Sequence, residues 1–317
     1  MDQSALGVAG VRGMYYARLE QPAIPAWVDL IANRFNSDMA SETYAMLGFS
    51  PAMREWVGGR QAKGFRDNGF TIVNKHFEST IEIRARDMRR DKTGQIMARV
   101  NEHADRADQH WASLLATLIL NGQTTVCYDG QYFFDTDHSE GNSGTQSNSI
   151  SVDISTLPAT LHGSTTAPSI EEMQQAIVSG ITQIGTFKDD QGEPMNENAN
   201  SFLVLVPPSL SIVAGNAIAP AALGALAQNL NPAIKAGNSL QVQSSVRLGA
   251  WTDKFAVFRT DSAIKPFILQ EETPVDVKVW DENSDHFKDN DSYKFGLDAW
   301  RNGGNGYWQR ACLVTLT

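Results

Sequence analysis

An α+β fold is what this sequence predicts, on three observations. One long stretch, Gln95 to Leu120, repeats its apolar residues at helical spacing. The last third instead carries short β-forming runs separated by turn residues. Of 317 residues, 42% are hydrophobic and 20% charged, which supplies a core for about two domains or one elaborated domain. No apolar run approaches the ~20 residues of a membrane span. Met1-Asp2-Gln3-Ser4 has neither the basic nor the apolar region of a secretory signal. Transmembrane and signal-secreted classes are excluded on that basis. A net charge of −10 opposes nonspecific nucleic-acid binding. Cys127 and Cys312 are far apart and form no CxxC, which argues against a disulfide scaffold or cysteine zinc site and fits a reducing cytosol.

The stretch up to about Trp27 shows little periodicity and reads as an arm that packs on something else. Ala26 to Phe35 predicts a short helix with Trp27, Leu30, Ile31 and Arg34 on one side. From Trp56 to Ile83, glycines punctuate a run holding Arg60, Lys63, Arg66 and Lys75. Asn68-Gly69 predicts a type I′ hairpin turn, and Phe70 to Phe77 is rich in β-formers. Such a hairpin has too little apolar surface for its own core and needs a partner surface. In the long helix the predicted core face is Ile96, Val100, Trp111, Leu114 and Leu118, with Asn121-Gly122 as its C-terminal stop. Asp129-Gly130 predicts a turn, and Ser139 to Ser149 a surface loop.

A second unit begins near Pro168. Ser169 and Glu172 make a capping box, and Ile170, Met173, Ile177, Ile181 and Ile184 line one helix face. Phe202 to Val206 reads as a buried strand stopped by Pro207-Pro208, and Ile212 to Leu230 as mixed helix and loop. Further strands are expected at 240–246, 255–259, 267–270, 275–280, 293–300 and from Tyr307 on, with 301–306 as a hairpin loop joining the last two.

Chemistry-bearing clusters are sparse. Asp135, Asp137 and His138 alone have metal-ligand character, and a metal-dependent hydrolase built on them is one alternative reading. The blander reading, turn-capping acids beside core aromatics, is preferred because no second His/Asp/Glu cluster completes the coordination. His103 and His110 are seven apart, where a helical ligand pair favours four. There is no GxSxG elbow, no phosphate-binding glycine loop and no calcium-loop spacing around Asp189. No catalytic residue, cofactor or metal is expected.

An arm, a basic hairpin, one spine helix, an α/β unit and a β-rich return follow one another in this chain. This order resembles the capsid fold of tailed bacteriophages, the Hong Kong 97 type, and within it the Mu-like prophage major head subunit family. The residues that carry the resemblance are Glu42-Thr43-Tyr44, Arg54-Glu55-Trp56-Val57-Gly58, Phe77-Glu78-Ser79-Thr80, Cys127 to His138, Lys265-Pro266-Phe267-Ile268 and Gly306-Tyr307-Trp308-Gln309. The first forty residues match least. The resemblance implies an arm and the start of a peripheral domain at 1–53, an extended hairpin loop at 54–83, and a peripheral domain with the spine helix at 84–167. An axial domain at 168–262 and a β-rich return to the peripheral domain at 263–317 complete it.

The resemblance further implies a non-enzymatic shell subunit, located in the virion and assembled in the host bacterial cytoplasm. Its hexamers and pentamers would enclose double-stranded DNA without sequence-specific binding. Scaffold, protease and portal would be separate proteins, since no long helical extension precedes the arm. An encapsulin-like compartment is a further alternative on the same fold. Two charge patterns point to the contact between subunits. Residues 54–75 hold five basic side chains (Arg54, Arg60, Lys63, Arg66, Lys75) against two acids. Residues 271–291 hold eight acids, Glu271, Glu272, Asp281 and Glu282 among them, against two lysines. The expected interface pairs these segments across neighbouring subunits, with Trp56 in it.

Overall fold

The computed structural model describes residues 7–46, 68–91, 93–218 and 239–317. Helices α1 (Val8–Leu19) and α2 (Ala26–Ile31) lead into β1 (Ala32–Asn36), β2 (Ser41–Met46), β3 (Asn68–Val73) and β4 (Lys75–Arg84). After α3 (Ala85–Arg90) comes the spine, α4 (Gln95–Leu120), which at 1.5 Å per residue is about 39 Å long. Then follow β5 (Ser149–Val152), α5 (Ile170–Thr186), β6 (Ser201–Val206), α6 (Ser211–Ile218), β7 (Ser239–Ser244) and β8 (Lys254–Arg259). Last are β9 (Phe267–Trp280), α7 (Asp285–Asn290), β10 (Ser292–Asn305) and β11 (Ala311–Leu316).

Two larger sheets organise the chain. One has the order β1-β9-β10-β4, with β1 parallel to β9 and the other pairs antiparallel. The other, β5-β11-β8-β6-β7, mixes parallel pairs at both edges with an antiparallel centre. β6 is buried from Phe202 to Val206, which is why it reads as an unbroken apolar run. Among the described residues β2 and β3 pair only with each other, as two antiparallel strands.

The spine helix belongs to two cores. Val100 and Ala104 pack with Val11, Tyr15, Phe295 and Leu297, under the four-stranded sheet. Trp111, Leu115 and Ile119 join the larger core with α5 and the five-stranded sheet. Asp91 starts this helix: its carboxylate accepts the N–H groups of Thr93, Gln95 and Ile96. Those hydrogen bonds, that from Ile96 first, hold the Asp91 pKa below the usual carboxylate value. In α5 the Ser169–Glu172 capping box is complete, and Met173, Ala176, Ile177 and Ile184 are buried. No helix among the described residues is long and apolar enough to cross a membrane.

Several sequence expectations are corrected. On α4 Val100 and Trp111 are buried as expected and Leu115 and Ile119 join them, whereas Ile96, Leu114 and Leu118 are partly buried and pack against the edges of the cores. Val100, Ala104, Trp111, Leu115 and Ile119 follow one another at spacings of four, seven, four and four, so one stripe of the helix serves both cores. The early arm contains a helix, α1, fixed to α4 by Arg18 Nε to Asp105 (2.5 Å) and by Ala23 N–H to Asp108 (3.2 Å). The expected 26–35 helix stops at Ile31 and turns into β1. Asn68-Gly69 is no turn: it opposes Met46 and Ala45 inside the β2–β3 ladder, so the hairpin arms begin at Ser41 and end at Val73.

Nor is 301–306 a loop to the last strand. β10 runs on to Asn305 beside β9, while β11 joins the other sheet, so sheet membership divides the 263–317 segment. The glycines there serve close approach. A Cβ at Gly304 would stand 2.6 Å from Phe70 and 2.7 Å from Ile72, where the β2–β3 hairpin lies on the sheet.

Candidate functional site

The segment from Cys127 to Asn148 folds around a buried cluster that includes Cys127, Phe133, Phe134, His138 and Asn148. Gly130, at φ +89°, makes the Asp129-Gly130 turn, and Cys127 N–H closes it on the Gln131 carbonyl at 2.7 Å. That turn aims Asp129 inward, where its carboxylate accepts from His138 Nδ1 at 2.6 Å. Both side chains are buried, and the imidazole lies flat on Trp308 with ring centroids 3.9 Å apart. His138 Nε2 is 3.3 Å from Asn148 Oδ1, and Asn148 Nδ2–H donates to the Phe133 carbonyl at 2.7 Å.

Beside it, the Tyr128 hydroxyl donates to Glu140, and Gln309 Nε2–H donates to the Tyr128 oxygen at 2.7 Å and to Glu140 at 3.1 Å. Burial pushes the Glu140 pKa up against the opposing bond from Tyr128, and pushes the Tyr128 phenol well above its ordinary range.

Of the metal trio only Asp135 and Asp137 meet side chain to side chain, and His138 stays apart in its own hydrogen bonds. The imidazole nitrogens of His138 face Asp129 and Asn148, away from solvent, while Asp137 is exposed. Asp135 accepts N–H from Tyr132 at 3.1 Å and from Thr136 at 2.8 Å. Burial raises its pKa, but these bonds outweigh that and leave it below the ordinary carboxylate value. Among the described residues no group of three His, Cys, Asp or Glu is placed to hold a metal. Sequence reasoning sets Trp308 and Gln309 among the residues that carry the resemblance but gives them and Asn148 no partner, because the groups that Trp308 and Gln309 meet stand about 170 residues away in the chain.

Of the expected interface residues, Arg54, Trp56, Arg60, Lys63 and Arg66 lie outside the described residues. Lys75 is exposed at the start of β4. The acidic segment divides in two. Glu271 and Glu272 are half-buried in β9, and burial raises the Glu271 pKa despite the nearby Arg301 and Arg34. Asp281 instead accepts the Asn283 N–H at 2.9 Å to start the turn into α7, and Glu282 accepts from Tyr293 Oη–H at 2.8 Å. Asp276, Asp285, Asp289 and Asp291 remain exposed.

The family model of the Mu-like prophage major head subunit gpT matches residues 8–159 and 228–316. The chain belongs to that family. The Mu-like prophage FluMu major head subunit of Haemophilus influenzae is 37% identical over 129 residues, 40% of this chain and 42% of that protein. The major capsid protein of Escherichia phage Mu is 37% identical over 114 residues, 36% of this chain and 37% of that protein. The matched region thus spans about two fifths of these curated relatives. Among solved structures, the bacteriophage JBD30 procapsid superposes with a TM-score of 0.55 at 21% identity, covering 97% of this chain and 74% of that one. The cyanophage P-SCSP1u capsid gives 0.55 at 13%, covering 92% and 88%. The virus-like particle of Pyrococcus furiosus gives 0.52 at 7%, covering 96% and 98%. The gpT-family chain therefore has the fold of the tailed-phage capsid subunits.

Proposed function

We propose that this chain is the major capsid protein of a phage head and assembles with copies of itself into an icosahedral shell around double-stranded DNA. The observation that carries this, beside family membership, is the β2–β3 hairpin. It buries Ile72 at its base, yet Val73 and the neighbouring Phe35 and Met39 stay exposed, so it lacks a core of its own. Repeated in a closed symmetric assembly, many modest contacts of this kind stabilise one another. In this reading the subunit is no enzyme, its place is the virion, it is built in the host cytoplasm, and scaffold, protease and portal are separate partners.

The division into arm, extended loop, peripheral and axial parts at 53, 83, 167 and 262 belongs to the same proposal. So does a contact that lays the basic 54–75 segment of one subunit on the 271–291 segment of its neighbour. There the exposed Asp276, Glu282, Asp285 and Asp289 supply the charge, since Glu271 and Glu272 are half-buried. Electron microscopy of the purified protein tests the reading: closed shells, tubes or capsomers are expected. A strict monomer at every concentration and salt, even with its scaffold, overturns it. Protein cargo rather than DNA in particles from infected cells would instead favour a compartment.

A further inference from the structure

Between α4 and the four-stranded sheet lies a cavity of about 320 Å³, open on one side. Phe77, Val275, Leu297 and Ala299 supply its apolar wall, and six polar side chains share the lining. Two of these, Arg301 and His110, carry buried groups without a partner among the described residues. Arg301 is 97% buried (3% exposed), and its Nε–H has no hydrogen-bond partner. His110, packed against Phe77 at 4.3 Å, has an unpartnered buried Nδ1. The guanidinium gives one N–H to the Ala107 carbonyl at 2.6 Å and lies over Trp111 at 4.7 Å. Among the described residues no carboxylate reaches it within ion-pair distance; Asp108 and Glu271 act on it only through space.

A buried cation with no carboxylate in contact is costly even where Asp108 and Glu271 act on it from a distance, and its own idle donor adds to that cost. An anion in the cavity relieves both. The apolar walls require that the anion carry an apolar stem, and the volume lies at the lower end of the ~300–1,000 Å³ typical of small-molecule sites. At the mouth, Glu78 and Asp298 oppose anions, but Arg106 lines the same opening and Asp298 is paired with Lys278. We propose that this cavity is a binding site for a small monocarboxylate with an aromatic or short aliphatic stem. Its carboxylate accepts from Arg301 Nε–H and from His110, and its stem lies against Phe77, Val275, Leu297 and Ala299. Burial moves the Arg301 pKa down to about 10, which still leaves the group charged at neutral pH.

The test is isothermal titration of the intact chain with 4-phenylbutyrate and, as the neutral match, 4-phenylbutanol. Saturable one-to-one binding of the carboxylate, at least tenfold tighter than the alcohol, is expected. Ala299→Leu, which adds bulk at the apolar wall and keeps the guanidinium, should weaken it tenfold or more, and Arg301→Met should erase the preference for the carboxylate. Because Arg301→Met can fail to fold, Ala299→Leu and the carboxylate-to-alcohol ratio decide on their own. Equal affinity for the two probes, no binding of either, or binding unchanged in Ala299→Leu overturns the proposal.

Discussion

At Trp111 one indole meets two guanidinium groups, those of Arg34 at 5.0 Å and Arg301 at 4.7 Å, while its ring fills the larger core. Trp111→Ala should therefore cost ~3–5 kcal/mol through the cavity it leaves, read by chemical denaturation of the subunit. An unchanged midpoint would contradict the packing. His138→Ala is expected to cost ~2–4 kcal/mol, since it strands the buried Asp129 carboxylate and uncovers the Trp308 face. Glu140 gives a pH signature. Burial raises its folded pKa, so below the unfolded pKa the protonated acid makes its full contribution to stability, which is lost as pH rises through the folded value. Glu140→Gln should then gain on the natural protein as pH rises from 4 to 8, with the two alike at the acid end. Denaturation curves across that range check it, and a constant difference would refute it.

Elements differ in how openly the sequence announces them. α4, α5 and β6 are legible because each has one dominant signal: an apolar stripe, a capping box, an unbroken apolar run. β3 and the end of β10 are not, because Asn68-Gly69 and Gly303-Gly304 carry turn chemistry that long-range packing overrides. The Gly304 position exists for Phe70 and Ile72, and nothing near residue 304 in the chain says so. Gly304→Val is accordingly expected to push the β2–β3 hairpin from its seat, at ~1–3 kcal/mol. Hydrogen exchange should rise in β2 and β3 while β6 and β8 stay protected. Exchange raised throughout, or nowhere, would show that Gly304 does not hold the hairpin. The candidate site is half legible: the Cys127–His138 run marks itself by composition and reads as local structure with a metal site as the alternative, but the partners of His138, namely Asp129, Asn148 and Trp308, come only with the fold.

At the scale of the whole molecule, the proposed contact makes charge the term that sets how copies meet. Reversal of Arg60, Lys63 and Arg66 to Glu is expected to block assembly while the subunit stays folded, and reversing acids among 276–289 should partly restore it. Early assembly, followed by light scattering, should slow as salt rises, because exposed pairs are screened beyond ~8–10 Å at physiological ionic strength. Shells formed at the normal rate by the triple reversal would show those charges to be merely solvated.

The spine adds a mechanical consequence. Because α4 is gripped by one core near Val100 and by the other near Leu115, it is a beam clamped at both ends. On a rod of about 39 Å, a tilt of about 1.5° at one clamp carries the far end through about 1 Å. Packed interiors yield little to such a push. A strain set at the four-stranded sheet is thus delivered, hardly damped, to the five-stranded one, and a subunit that must sit at differing angles to its neighbours has to flex in its loops and hairpin rather than along its axis.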